Sequence, residues 1–174
     1  MPVREATSDD LADISFVAAT TYSAAYGSSL SHEQLRAELA VSRSVGYFRS
    51  AMLTDTILVS EEGGRLVGYV QLSEVRAKPQ NAPPPTKQDR AVKALYVHPE
   101  FQRRGHGRAL MEAAFRHRRL REARNVYIDV WPQNERALAL YRKYGFEIVG
   151  ECAVMVGGEP AGRDLILMRP IQGR

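Results

Sequence analysis

Cysteine is almost absent: Cys152 stands alone in 174 residues. A single thiol excludes a disulfide framework and a thiolate zinc cluster, and it suits a reducing compartment. The four histidines, His32, His98, His106 and His117, form no ligand spacing with Cys152, so no metal is expected. Long hydrophobic runs are missing too. No stretch approaches the ~20 apolar residues that span a bilayer. The opening MPVREATSDD turns acidic and polar without the apolar core of a secretion signal. These absences describe a soluble, cytoplasmic chain with no membrane partner. No internal repeat is visible.

What is present is globular. Hydrophobic residues make up 44% of the chain and charged residues 25%, the balance of a folded protein rather than a disordered one. At 174 residues, one domain spanning 1–174 is long enough to bury its own core. The formal net charge of +4 suits an anionic ligand without identifying one.

Pro2 to Glu5 reads as a short strand. In the following TSDDLADISFVAATTYSAAY, capping residues precede a stripe of Leu11, Ile14, Val17 and Ala18, the pattern of an amphipathic helix. SHEQLRAEL predicts a second, shorter helix, with Ser31 and Gln34 at capping-box spacing. TILVSEEGGRLVGYVQLSEV holds two β-rich runs joined at Gly63 and Gly64, whose freedom at positive φ suits a tight hairpin. RAKPQNAPPPTKQ carries four prolines and reads as a loop. RAVKALYVHPE is a strand stopped by Pro99, after which Leu110, Met111, Ala114 and Phe115 supply a helix's apolar face. NVYIDVW predicts a strand and NERALALYRKYG a helix closed by Gly145. The run from Phe146 to Pro170 predicts two strands turning at Gly157 and Gly158. This order implies a mixed sheet covered by helices.

Between strand and helix lies FQRRGHGRAL, where Gly105 and Gly107 let backbone N–H groups approach a ligand closely. First-turn amides lack intrahelical acceptors and face the positive end of the helix dipole, a ready seat for phosphate. Arg103, Arg104 and Arg108 add donors for a pyrophosphate. The plain alternative is a charged turn into a surface helix. The loop matches neither GxxxxGK[ST] nor GxGxxG, so nucleoside triphosphates and nicotinamide dinucleotides are not favoured. Downstream, Asn134 stands at a helix N-cap and Tyr141 two turns further along roughly the same face. Each alone is an ordinary cap or core residue; together with the glycine loop they point to a ligand.

LYVHPEFQRRGHGRALM resembles the strand, R/Q-x-x-G-x-G/A loop and helix of the GNAT family of N-acetyltransferases. VYIDVWPQNERALALYRKYGFEIVG resembles that family's second half, and the specific likeness covers about residues 91 to 150. The resemblance implies an α/β (α+β) fold: a mixed, mostly antiparallel sheet flanked by helices, with splayed central parallel strands. It implies acetyl-CoA as cosubstrate. Backbone groups of Leu95, Tyr96 and Val97 would pair with the pantetheine arm, in a gap where the strand ending at Val97 splays from the one ending at Trp131. The amides of Arg103, Arg104, Gly105, His106, Gly107 and Arg108 would hold the pyrophosphate. Asn134 would contact the pantetheine or phosphate region and Lys143 a CoA phosphate. Tyr141 would protonate the departing thiolate, a role its phenol can fill because it is protonated near neutral pH.

Direct transfer needs a neutral amine, and hence a route for its proton. The family often places a glutamate on the strand before the loop, where Ala91 and Lys93 stand here. Glu74, Asp129 and His98 are the candidate substitutes, against plain readings as a strand end, a paired carboxylate and a turn residue. Cys152 reads as a small core residue.

The tail and the early TTYSAAYG further resemble bacterial spermidine/spermine-type acetyltransferases, implying a small-molecule amine acceptor such as a polyamine. Glu33, Glu38, Glu61, Glu62 and Glu74 are available to a polycation, and Tyr22 with Tyr26 to an acceptor entrance. The competing acceptor is a protein N-terminus or lysine, with residues 78–87 contacting a peptide. A reading of another class makes RHRRLREARN a nucleic-acid or protein-binding module. No aromatic stacking pattern accompanies its arginines, so no nucleic-acid partner is expected. A homodimer is implied by the resemblance alone.

Overall fold

The computed structural model describes residues 1–76, 84–156 and 159–171. Among the described residues seven strands are formed: β1 (Val3–Glu5), β2 (Thr56–Glu62), β3 (Arg65–Glu74), β4 (Arg90–Val97), β5 (Asn125–Val130), β6 (Glu147–Val156) and β7 (Glu159–Pro170). The helices are α1 (Leu11–Tyr26), α2 (His32–Ser42), α3 (Val45–Ala51), α4 (His106–Arg116), α5 (Arg118–Arg121) and α6 (Glu135–Lys143). The strands hydrogen-bond in the order β1-β2-β3-β4-β5-β7-β6, a mostly antiparallel sheet with one parallel pair, β4 and β5. Two compact units divide the chain, Met1–Leu72 with Ala94–His117, and Ser73–Lys93 with Arg118–Arg174.

In the first unit the stripe read from the sequence is the core. Leu11, Ile14, Val17 and Ala18 of α1 are buried against Phe48, Val59 and Tyr69. Upstream of α1, the Asp10 carboxylate accepts from Thr7 N–H at 2.7 Å and takes a two-pronged contact from Arg4, both bonds 2.8 Å. Ser31 and Gln34 form the expected capping box of α2. The helix α3, capped by Ser44, interrupts what the sequence left unassigned. Gly63 and Gly64 turn the β2–β3 hairpin at φ 61° and 76°, with a bulge between Ser60 and Glu61.

In the second unit, β5 buries Val126, Ile128 and Val130, alongside Leu138 and Tyr141 of α6 and Phe146. The Asp89 carboxylate accepts from Thr86 N–H at 2.6 Å and from the Asn125 side chain at 2.8 Å. Burial works against its charge, but these bonds hold Asp89 below the usual carboxylate range. They tie the segment entering β4 to the start of β5, where the parallel ladder pairs Arg90 with Val126 and Ala91 with Tyr127. Gly145 ends α6 at φ 77° as expected. The arginines of RHRRLREARN do not share one helix: His117 turns extended at the end of α4, and Arg118–Arg121 forms a separate single turn. Most of the proline-rich loop, residues 77–83, and the Gly157–Gly158 turn lie outside the described residues.

Candidate active site

In the first unit, β4 leads through a 3-10 turn, Pro99–Phe101, into α4. His98 N–H donates to the Val67 carbonyl at 2.8 Å. Backbone groups alternate along a strand, so those of Tyr96 also face β3 while those of Leu95 and Val97 face the other edge. The Val97 carbonyl accepts from the Gln102 side-chain amide at 3.0 Å, anchoring the glycine loop to the strand that precedes it. Gly68 makes this packing close: a Cβ there would stand 2.9 Å from the Tyr96 carbonyl and 3.2 Å from Leu110.

Gly105 is the N-cap of α4 at φ 92°, without a capping side chain. The amides of His106, Gly107 and Arg108 therefore begin a helix with no intrahelical acceptor. Gly107 has ordinary helical backbone, and an added Cβ would meet nothing closer than Val97 at 3.9 Å. Glycine inside a helix costs about 1 kcal/mol against alanine, and no packing among the described residues demands it here. An anion such as the pyrophosphate of acetyl-CoA fits that open, uncapped turn.

The loop's cations divide. Arg104 donates to Glu62 at 2.7 Å and Arg108 to Glu112 at 2.7 Å. Arg103, exposed and itself at φ 65°, has no side-chain partner among the described residues. Two of the three arginines read as pyrophosphate donors thus pair with glutamates of the chain. The His106 imidazole is buried, meeting Ser60 Oγ at 2.8 Å and Glu62 Oε2 at 2.7 Å, so its ring is taken up within the protein. The His106 and Arg104 hydrogen bonds hold the Glu62 carboxyl below its ordinary value, against partial desolvation. Sequence reasoning did not find this role for Glu62, because nothing in EEGG distinguishes a strand-end glutamate from a solvated one.

In the second unit, Asn134 caps α6, its side-chain oxygen accepting from Ala137 N–H at 3.2 Å. Tyr141 is buried with its ring edge toward Phe146, and Lys143 is exposed. Of the three base candidates, His98 caps the 3-10 turn and stacks on Phe16, and Glu74 is an exposed strand end. Asp129 differs. It keeps solvent contact, but the protein crowding its carboxyl, together with the Asp164 charge, raises it to about 6. Asp164, two positions along β7 from Asp129's partner Ile166, is raised by burial as well. Cys152, opposite Asp164, is pushed up to about 11 by burial and these two carboxylates, which favours the protonated thiol over the thiolate.

The carboxylates expected to greet a polycation are largely occupied. Glu61 accepts from Arg4 at 2.9 Å, Glu62 from Arg104 and His106, and Glu38 lies 3.6 Å from Arg43. Tyr22 and Tyr26 pack ring on ring at 4.7 Å, with Arg43 over Tyr22. Among the described residues, no group of three or more His, Cys, Asp or Glu could hold a metal ion. No described helix is long and apolar enough to cross a membrane.

A mostly antiparallel sheet with one parallel pair, and an uncapped glycine turn entering a helix beside that pair's β4, define an acyl-CoA-type acetyltransferase fold. Residues 22–146 match the acetyltransferase (GNAT) family, and the chain belongs to it. The N-alpha-acetyltransferase RimI of Mycobacterium tuberculosis is 38% identical over 93 residues, 52% of this chain and 51% of that protein. The chain thus spans about half the length of this curated relative. Among solved structures, the PaiA N-acetyltransferase of Thermoplasma acidophilum in complex with coenzyme A superposes with a TM-score of 0.75 at 17% identity, covering 97% of this chain and 98% of that one. The ribosomal-protein-alanine N-acetyltransferase of Brucella melitensis gives 0.69 at 20% identity, over 98% and 99%. These two show the fold.

Proposed function

We propose that the chain, acting as one domain over residues 1–174, is an acetyl-CoA-dependent N-acetyltransferase whose acceptor is the α-amine of a peptide or protein. The observation that carries the cosubstrate is the start of α4, where uncapped amides and the Cβ-sized opening at Gly107 leave a seat for pyrophosphate. Leu95 offers its outward backbone groups and Val97 its N–H to the pantetheine arm, with Tyr96 alongside. Asn134 and Lys143 are the further contacts to the cosubstrate.

Acetyl-CoA supplies the acetyl thioester: the acceptor nitrogen bonds to the acyl carbon, the carbon–sulfur bond breaks and the thiolate leaves. Tyr141 donates its phenolic proton to that sulfur. Asp129, ionised above pH ~6, takes the proton from the acceptor nitrogen, directly or through a water. The acceptor preference comes from the amines themselves: an α-ammonium titrates near ~8 and an alkylammonium near ~10.4, so more of the α-amine is neutral near pH 7 whichever group takes its proton. The occupied carboxylates Glu38, Glu61 and Glu62 also weaken the case for a polyamine channel, and the RimI relative is named for α-amine acetylation.

The test presents acetyl-CoA with peptides bearing a free α-amine, lysine peptides blocked at the N-terminus, and spermidine, scored by product mass. Acetylation of the α-amine is expected to dominate. Product from spermidine or lysine alone would move the acceptor, and no saturable CoA binding would sink the whole reading. The pH profile of kcat/KM should fall below about 6, and Asp129→Asn should lose that limb with a drop of about 10²- to 10⁴-fold.

A further inference from the structure

The turn proposed to seat the pyrophosphate is built from awkward backbone. Arg103 lies at φ 65°, left-handed for a residue other than glycine, and Gly105 follows at φ 92° as an N-cap without a side chain. A side-chain cap would compete with a ligand for the same amides, so the first turn of α4 has to be fixed from outside. Glu62, the last residue of β2, stands in the right place. Its Oε1 accepts from Arg104 Nη1 at 2.7 Å and its Oε2 meets His106 Nε2 at 2.7 Å, so one carboxylate spans the two neighbours of Gly105.

Both neighbours are held a second time. The Arg104 guanidinium lies 5.0 Å over the Phe101 ring, and His106 Nδ1 meets the fully buried Ser60 hydroxyl at 2.8 Å. The imidazole keeps both contacts in either protonation state, because Ser60 can donate to a bare Nδ1 or accept from a protonated one. An exposed ion pair taken alone contributes little. Here the carboxylate joins an arginine to a buried ring, and the residue between them is the N-cap itself.

We infer that Glu62 is a positioning residue, which through Arg104 and His106 presets the backbone amides that receive the pyrophosphate of acetyl-CoA. This rests on the cosubstrate reading above. The loop's cations then have separate roles. Arg104 holds the turn in shape, while Arg103 is left to face the ligand.

Calorimetric titration of wild type, Glu62→Gln and Glu62→Ala with CoA, and with pantetheine, which lacks the pyrophosphate, tests the role. Glu62 lies partly exposed at a hairpin end, and the glutamine variant keeps its shape while placing an amide donor against Arg104 or His106. The CoA Kd should rise by about tenfold or more, the scale of one lost charge-assisted hydrogen bond, and pantetheine should not weaken in step. Amide exchange across residues 103–108 in the ligand-free variants should quicken. Unaltered CoA affinity in both variants, or parallel weakening of CoA and pantetheine, would overturn the role of Glu62. Failure of the wild-type chain to bind CoA would overturn the cosubstrate reading, and the role with it.

Discussion

At the scale of single residues, the two loop glycines are there for different reasons, and the difference can be measured. Gly105 answers to its own backbone, since φ 92° excludes a side chain. Gly107 answers to nothing among the described residues, because its helical backbone and a nearest neighbour, Val97, at 3.9 Å from an added Cβ would both accept a methyl. Gly107→Ala should therefore stabilise the fold by about 0.5–1 kcal/mol. Gly107→Leu should hold its melting temperature but lose CoA affinity, its side chain filling the volume above the amides. A leucine variant that binds CoA like the wild type would remove that turn as the seat. The glycines stood out in the sequence; their separate causes did not, because φ and free volume are properties of a folded loop.

At the scale of elements, β3, β4 and α4 are brought together by the absence of a side chain at Gly68. A methyl there would meet the Tyr96 carbonyl at 2.9 Å and the Leu110 and Val97 side chains at 3.2 Å. The backbone neighbour cannot swing aside as a flexible tip can. Gly68→Ala should cost roughly 1–3 kcal/mol by overpacking, read in a denaturant midpoint. It should also weaken CoA binding, since the contacts it strains belong to the strand that leads into the loop. The elements themselves were largely legible, because their signals are local: the α1 stripe, the Ser31 cap and the Gly63–Gly64 turn act within a few residues. The helix α3 was not legible, being short, and Phe48 supplies its one fully buried anchor. Nor was the break after Arg116, since His117 is extended without a proline or glycine to mark the helix end. Asp129 was one of three equal candidates in the sequence. Its distinction comes from strands β5 and β7 pairing so that Asp164 shares its face, a non-local fact.

At the scale of the whole molecule, its carboxylates pull stability in opposite directions with pH, and the signs follow from their surroundings. The two-pronged contact from Arg4, with help from Thr7 and against desolvation, lowers Asp10 to about 2. A depressed carboxyl contributes stability that is present above its ordinary value near 4 and is lost as pH falls toward 2. Desolvation of its carboxyl by the surrounding protein, with Asp164, raises the exposed Asp129 to about 6. A raised carboxyl does the reverse: the fold is favoured while the group stays protonated, and that advantage is lost as pH rises through 6. Between these two transitions both groups favour the fold, and each withdraws its share on its own side. Asp10→Asn should lower the melting temperature at pH 7 by an amount corresponding to roughly 1–2 kcal/mol, discounted for the half-exposed Arg4, and should match wild type near pH 2. Asp129→Asn should be neutral at pH 4 and raise the melting temperature at pH 8, by about 1 kcal/mol after solvent screening. Melting curves from pH 2 to 8 for the three proteins measure both arms. An Asp129→Asn variant less stable than wild type at pH 8 would mean that the carboxylate is paired in the folded chain. Its carboxyl would then not be raised, and the acid limb near 6 expected of kcat/KM would move down with it.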